Sequence, residues 1–203
     1  RNLKDFSFKP ATISALIATH AHLDHIGRIP KLVKEGFSGP IFSTSATRDF
    51  AKLMLADSLG ILAKEAASHH HELPYQEADL KKTIEQWRGI DYHQEFEIND
   101  FKILLRDAGH ILGSAIVEIK NKNKKIIFTG DLGNPPTPLL SPTEIIPDAN
   151  ILIIESTYGN RVHEVREERK LKLERIIEDT VCAGGVLMIP AFSLERTQEL
   201  LFE

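Results

Sequence analysis

The chain alternates between short apolar runs and longer segments whose apolar residues recur at helical spacing. Short β-prone runs next to such segments are typical of strands connected by helices. Ser45 can cap a long amphipathic helix, and Gly36 is a natural helix end. In the first half of the chain, the pattern predicts strands at 13–19 and 40–44, and helices at 25–35, 45–67 and 77–88.

The periodicity changes to that of strands near residue 94, where apolar and polar residues alternate between short turns. Strands concentrated in one stretch, with helices outside it, predict an α+β fold in which helices cover the sheets. A proline-rich connection at 135–147 is predicted to be irregular. The predicted elements of this half are strands at 96–98, 101–105, 115–119, 125–129, 151–155 and 186–189, and helices at 164–182 and from 194 onward.

Composition narrows the class of protein. The chain has 203 residues, of which 42% are hydrophobic and 27% charged, as in globular domains. No strictly apolar run exceeds four residues, which argues against a membrane-spanning segment. The single cysteine excludes an internal disulfide and favours a reducing, cytoplasmic location. A net charge of −4 argues against bulk electrostatic attraction to nucleic acid.

The strongest chemical signal is the segment 20–25, which reads His-Ala-His-Leu-Asp-His at a strand-to-helix junction. Histidines at alternate positions of an extended segment can point in the same direction, while Asp24 and His25 can turn towards a second centre as the helix begins. Burying several ionisable groups without a metal would be costly. The segment therefore predicts a metal site.

Two further candidate ligands follow strands and have glycine neighbours. His110 lies in Gly-His-Ile-Leu-Gly-Ser, and Asp131 in Thr-Gly-Asp-Leu-Gly. Glycine allows the backbone to approach a bound group closely. Taken alone, however, His110 can also be interpreted as an ordinary surface histidine, and Asp131 as a residue that favours a turn.

In order and spacing, these three motifs resemble the metal-binding motifs of the metallo-β-lactamase superfamily. The segments 154–161, 163–169 and 189–201 resemble its β-CASP branch, which processes nucleic acids. The resemblance implies an α+β, four-layer αββα sandwich over residues 1–157 and the start of an α/β β-CASP domain over 158–203.

The resemblance also implies a ligand set and a chemistry. His20, His22 and His110 would hold one metal, Asp24 and His25 a second, and Asp131 would bridge them. Two divalent ions are expected, zinc first and manganese as the alternative, since the ligands are histidine and carboxylate without thiolate. A water activated by the two metals would attack the phosphodiester. Asp24 and Glu155 are the expected catalytic residues: Asp24 orients that water, and Glu155 holds a general-acid histidine.

Both ends of the chain are expected to be truncated relative to this family. The first residue is Arg1, and the last predicted helix has no stop signal. An early aspartate, the last metal-binding histidine and the general-acid histidine would then lie outside the chain. We therefore expect this chain alone to bind one metal well and the second poorly, and to cleave RNA weakly or not at all.

RNA is the expected substrate because family members that act on RNA tend to have Glu, and those that act on DNA ends Asp, at the position of Glu155. The function implied is a metal-dependent ribonuclease, a hydrolase of RNA processing or decay. The alternatives are a DNA-end nuclease acting on single-stranded DNA, and a non-catalytic RNA-binding scaffold. A homodimer or a processing-complex partner is compatible with either enzyme. Weaker candidates for substrate contacts are His163, Arg161, Ser193 and Arg196.

Overall fold

Two β-sheets flanked by helices make up the computed structural model, which describes residues 3–162 and 166–202. The first sheet is parallel, with its three strands in sequence order. Parallel neighbours need crossover connections, and helices supply them. The strands are β1 (Leu16–Ile17), β2 (Ile41–Thr44) and β3 (Trp87–Ile90), and the helices are α1 (Leu23–Ile26), α2 (Ile29–Lys34), α3 (Ser45–His69) and α4 (Glu77–Gln86), after a 3₁₀ turn at Pro10–Thr12.

The second sheet has five strands, also in sequence order. The first four form an antiparallel meander, and the fifth pairs parallel to the fourth across the proline-rich connection. These strands are β4 (Phe96–Ile98), β5 (Phe101–Asp107), β6 (Ala115–Asn121), β7 (Lys124–Phe128) and β8 (Ile151–Ile153), followed by the helices α5 (Arg166–Cys182) and α6 (Arg196–Phe202).

The two sheets pack against each other. Leu105 and Val117 of the second sheet are buried in a cluster that also takes in Ile17 and Ile90 of the first sheet. On the other side of the first sheet, the helices bury a larger cluster. Burial of these apolar side chains is the main source of stability of this part of the chain. The candidate metal ligands His20, His110 and Asp131 lie beyond the ends of strands of both sheets.

Most predicted elements are confirmed, and the exceptions have local causes. The predicted helix at 25–35 is in fact two helices, with a break at Gly27 and Arg28 and Pro30 in the first turn of α2. Proline favours a helix start because it lacks the N–H that an interior position would use.

Two other predictions are wrong. Residues 87 and 88, predicted to end a helix, instead belong to strand β3, because the buried Trp87 ring donates a hydrogen bond from Nε1 to Ser43 Oγ at 2.8 Å across the sheet. Residues 186–189 are irregular rather than a strand. Val186 and Met188 are exposed, and no strand within the described residues pairs with this segment.

The α+β class with two sheets flanked by helices is confirmed. The division at residues 157 and 158 into two domains stays a prediction. Within residues 3–162 and 166–202, no helix is both long enough and apolar enough to cross a lipid bilayer.

Candidate metal centre

Four of the six predicted metal ligands meet beyond the end of β1. One candidate ligand atom from each of His20, His22, His110 and Asp131 lies within 4.8 Å of the others. Nδ1 of His22 is 3.1 Å from Nε2 of His20 and 3.2 Å from Nε2 of His110. Ligands that are distant in sequence are thus brought to one point.

The two oxygens of the Asp131 carboxylate face different histidines. Its Oδ2 lies 3.8 Å from Nε2 of His20 and 3.7 Å from Nε2 of His110. Its Oδ1 lies 3.2 Å from Nε2 of His25. One oxygen therefore faces His20 and His110 and the other faces His25, which is the arrangement that a bridging carboxylate needs.

The side of the cluster that Asp24 and His25 form is more open to solvent than the side that contains His20. Oδ2 of Asp24 lies 3.6 Å from Nε2 of His25, and the Asp24 side chain is 78% exposed. His20, by contrast, is completely buried. The cluster thus has a buried side made by histidines and an open side where Asp24 meets solvent.

Burial keeps the histidines neutral. The pKa of His20 falls to about 2, first because the ring is buried and then because His25, His110 and His22 surround it. Burial also lowers the pKa of His22, although Asp24 and Asp131 oppose this effect. The pKa of His110 is lowered by burial and by His22. Neutral imidazole is the form that binds metal ions.

The donor set fits a divalent metal ion. Three imidazole nitrogens and a carboxylate oxygen, from His20, His22, His110 and Asp131, lie within 4.8 Å of one another. Nδ1 is the atom of the His22 ring that lies next to the other two histidines. Imidazole and carboxylate donors suit zinc and manganese. The residues therefore fit divalent metal binding.

The loop that carries His110 is shaped by its glycines and by Ser114. Gly109 and Gly113 have φ values of +63° and +86°, which side chains rarely adopt. Ser114 Oγ accepts hydrogen bonds from the backbone N–H of His110 at 3.0 Å and of Ile111 at 3.2 Å. These contacts explain why the motif reads Gly-His-x-x-Gly-Ser.

The same loop is tied to the start of α3. Thr44 and Thr47 both donate hydrogen bonds from Oγ1 to the carbonyl oxygen of Gly113, at 2.6 Å and 2.8 Å. Oγ1 of Thr44 also accepts a bond from the N–H of Thr47 and so caps the helix. The helix start and the ligand loop are therefore one hydrogen-bonded unit.

The loop that carries Asp131 lies directly against the His110 loop. The N–H of Gly133 donates to the carbonyl of Ala108 at 2.9 Å. A Cβ atom on Gly133 would lie 1.8 Å from the oxygen of Gly109, and one on Gly130 would lie 2.8 Å from Cβ of Thr19. Only glycine allows this approach of backbone to backbone.

Glu155 supports the Asp131 loop. Its Oε1 accepts a bond from the N–H of Leu132 at 2.8 Å, and its Oε2 one from the N–H of Thr157 at 3.2 Å. Burial raises the pKa of Glu155, but these bonds and the nearby His110 outweigh it and hold the pKa below its ordinary value. The predicted role of Glu155 in holding a general-acid histidine stays a prediction.

Three of the four predicted substrate contacts have partners outside the ligand cluster among the described residues. The guanidinium of Arg161 lies 5.7 Å from the centre of the Tyr158 ring, and Arg196 pairs with Glu199 at 3.0 Å. Ser193 contacts Sδ of Met54 at 3.9 Å. His163 lies outside the described residues. Substrate binding by these four residues stays a prediction.

Two supporting features could not be found from the sequence. Glu144 accepts a bond from the N–H of Asp107 at 2.9 Å and donates its own N–H to the oxygen of Asp107 at 3.0 Å. The Phe192 ring lies 5.8 Å from the ring of His22. Glu144 is in a segment that the sequence predicts to be irregular. Phe192 is in the segment 189–201, but its apolar side chain has no polar group that would mark it as part of a site, unlike Ser193 and Arg196.

Comparison with known proteins agrees with this geometry. The sequence model of the metallo-beta-lactamase superfamily matches residues 1–177. The chain is 33% identical over its whole length to a Thermus thermophilus protein named Ribonuclease TTHA0252, covering 45% of that protein. It is 36% identical over 95% of its length to RNase aCSPSF2 of Saccharolobus solfataricus, covering 38%. It is 39% identical over 96% of its length to the transcription termination factor FttA of Methanocaldococcus jannaschii, covering 31%. The chain thus spans less than half the length of these relatives.

Proposed function

Since this chain belongs to the metallo-β-lactamase superfamily, with ribonucleases of the β-CASP branch as relatives, we propose that it carries the metal-binding part of a ribonuclease. The reaction is hydrolysis of phosphodiester bonds in RNA. The observation that carries the proposal is the Asp131 carboxylate, which has one oxygen facing His20 and His110 and the other facing His25.

The residues divide into two sets of ligands around that carboxylate. His20, His22, His110 and Oδ2 of Asp131 would hold one divalent ion, and Asp24, His25 and Oδ1 of Asp131 would hold a second. Zinc is the proposed metal, with manganese as the alternative. When bound, divalent ions in such a site lower the pKa of a water molecule and stabilise negative charge on a phosphate group.

The protein's own groups orient the reactants. Asp24 lies on the open side of the cluster, where its carboxylate can accept a hydrogen bond from an approaching water and orient it. Glu155 holds the Asp131 loop through the N–H of Leu132. The hydrogen bond from the N–H of Gly133 to the carbonyl of Ala108 keeps the two ligand loops together before substrate arrives.

RNA is the proposed substrate, and the supporting facts are the names of the relatives and the Glu at position 155. The formal charge of −4 does not oppose this, because two divalent ions would offset it in the site itself. A cytoplasmic location and a role in RNA processing or decay belong to the same proposal. Assembly as a homodimer or with a partner in a processing complex is compatible with this proposal but is not required by it.

The test is the variant His22→Ala in the full-length protein incubated with zinc or manganese. We expect cleavage of a single-stranded RNA to be lost and bound metal to decrease, while circular dichroism stays unchanged. The matched control is His71→Ala, because His71 is exposed and far from the cluster in sequence. Unchanged cleavage by His22→Ala would overturn the metal-dependent mechanism.

Matched RNA and DNA oligonucleotides separate the alternative functions. Preferential cleavage of RNA supports the proposal, and preferential cleavage of DNA would favour a DNA-end nuclease. Binding of RNA without metal uptake or cleavage would favour a non-catalytic scaffold. Metal analysis of the purified chain tests whether the second ion is held as tightly as the first.

A further inference from the structure

An exposed aromatic ring stands at the edge of the ligand cluster. Phe192 is 77% exposed, and its ring centre lies 5.8 Å from that of His22 with the two planes inclined by 43°. A phenylalanine usually buries its ring. Here most of the ring is open to solvent while it lies next to a proposed metal ligand.

The backbone that carries Phe192 is held in place even though the ring is free. Oγ1 of Thr197 donates to the carbonyl of Phe192 at 2.7 Å, and the side-chain amide of Gln198 donates to the carbonyl of Ser193 at 3.1 Å. Leu194 packs against the apolar cluster that the helices bury on the first sheet. The ring is therefore positioned in advance and loses little freedom on binding a ligand.

The segment that carries Phe192 is also connected to the His110 loop. Leu194 and Glu195 line a cavity together with Ile111 and Leu112, the two residues that follow His110. Movement of Phe192 relative to the ligand loop is restricted by this proximity and by the packing of Leu194. The distance between ring and ligand cluster is thus built into the fold.

We propose that Phe192 is a base-stacking residue, which packs its exposed face on the base of a nucleotide next to the reacting phosphate. This inference rests on the proposed ribonuclease function and names a substrate contact for it. Aromatic side chains bind single-stranded nucleic acid in this way because every base has a π-face, so that the contact tolerates any sequence. A ring close to His22 is placed to meet a base of the strand whose phosphate reaches the cluster.

A competing role for Phe192 is to pack on His22 and fix the orientation of that ring. The two roles differ in what they require of the side chain. Packing needs apolar volume, which leucine also supplies, whereas stacking needs an aromatic face, which tyrosine supplies and leucine does not. Phe192→Leu and Phe192→Tyr therefore separate them.

The experiment is a binding cycle with phosphorothioate RNA oligonucleotides, each lacking the base at one position. In the wild-type protein, we expect loss of one particular base to weaken binding roughly tenfold, in the range that removal of a stacked base produces. Phe192→Leu should weaken binding of the intact RNA by a similar factor. For this variant, RNA that lacks that particular base should bind no more weakly than the intact RNA. Phe192→Tyr should behave as the wild type does.

Controls keep the result interpretable. Phe101→Leu changes a partly exposed ring at the start of β5 and should leave binding unchanged. Thermal unfolding of Phe192→Leu should match that of the wild type, because the ring is mostly exposed. The same abasic penalty in the wild type and in Phe192→Leu would overturn the stacking role while leaving the ribonuclease proposal intact. A full-length wild-type protein that neither binds nor cleaves RNA would overturn the proposed function itself.

Discussion

Single residues set the charge of the ligand cluster. His20, His22 and His110 all have lowered pKa values, and burial is the first cause in each case. Three neutral imidazoles in a small volume avoid the mutual repulsion that protonation would create. The same property makes the metal-free chain sensitive to acid.

We predict that the metal-free protein loses stability as the pH falls below 6.5, the ordinary histidine pKa. Between 6.5 and about 2, the unfolded chain protonates His20 and the folded chain does not, so protons favour unfolding. Urea unfolding in the presence of a chelator, followed by the fluorescence of Trp87, measures this dependence. His20→Gln should show a weaker dependence on pH, and His71→Gln should keep that of the wild type. Equal dependence in His20→Gln and the wild type would contradict the prediction.

A second property of single residues is the close contact between the ligand loops. We predict that Gly133→Ala lowers metal affinity and destabilises the fold, because its Cβ would lie 1.8 Å from the oxygen of Gly109 and push His110 and Asp131 apart. Metal titration and thermal unfolding measure the two effects. The matched control is Gly60→Ala in α3, where a Cβ meets nothing within 4 Å. That change should stabilise the protein by about 0.5–1 kcal/mol, and a Gly133→Ala protein with wild-type metal affinity would refute the argument.

At the scale of elements, the helix start and the ligand loop depend on each other. Thr44 ends β2, caps α3 and bonds Gly113, so one side chain links a strand, a helix and the His110 loop. Glu144 makes a similar link between the proline-rich connection and the end of β5. These links explain how an irregular segment contributes to an ordered site.

We predict that Thr47→Val destabilises the protein by about 1 kcal/mol, the net value of a buried hydrogen bond. Valine keeps the shape of threonine but cannot donate to the carbonyl of Gly113, to which Thr44 still donates. Denaturant unfolding measures the change. Thr12→Val serves as the control, because the Thr12 hydroxyl makes an exposed local bond to Lys9, and such surface changes usually stay within about 0.5 kcal/mol. Equal stabilities of the two variants would contradict the link between α3 and the ligand loop.

At the scale of the whole molecule, the ligand cluster joins segments that are far apart in sequence. His20 follows the first sheet, whereas His110 and Asp131 follow strands of the second. The N–H of Ala115 at the start of β6 donates to the carbonyl of Thr19 at 2.8 Å, so the sheets are also connected by the backbone next to the site. A metal bound there would hold both sheets together.

We therefore predict that a divalent metal stabilises the folded chain and that a chelator lowers its melting temperature. A ligand at one hundred times its dissociation constant contributes about 2.7 kcal/mol. Differential scanning calorimetry with and without zinc measures the effect. In His22→Ala, zinc should raise the melting temperature less than in the wild type, because one metal ligand is missing. An equal rise in the wild type and in His22→Ala would mean that the metal binds elsewhere.

The sequence by itself determined the elements with a clear period and the ligands with a clear spacing. Helix α3 and strands β5 and β6 follow from local apolar patterns, and the segment 20–25 predicts a metal site because its ligands are neighbours in the chain. Local patterns failed at 87–88 and 186–189, where the presence or absence of a partner strand decided the outcome. A strand needs hydrogen bonds to another strand, and the sequence does not reveal whether one is within reach.

Only the tertiary structure decided how His110 and Asp131 join the segment 20–25. That depends on long-range contacts between Gly133 and Ala108, between Thr47 and Gly113, and between Glu155 and Leu132. Such bonds use backbone atoms, which every residue has, and therefore leave no mark in the sequence beyond a glycine or a threonine. The position of Phe192 beside His22 was decided in the same way, by packing of Leu194 and not by any local pattern.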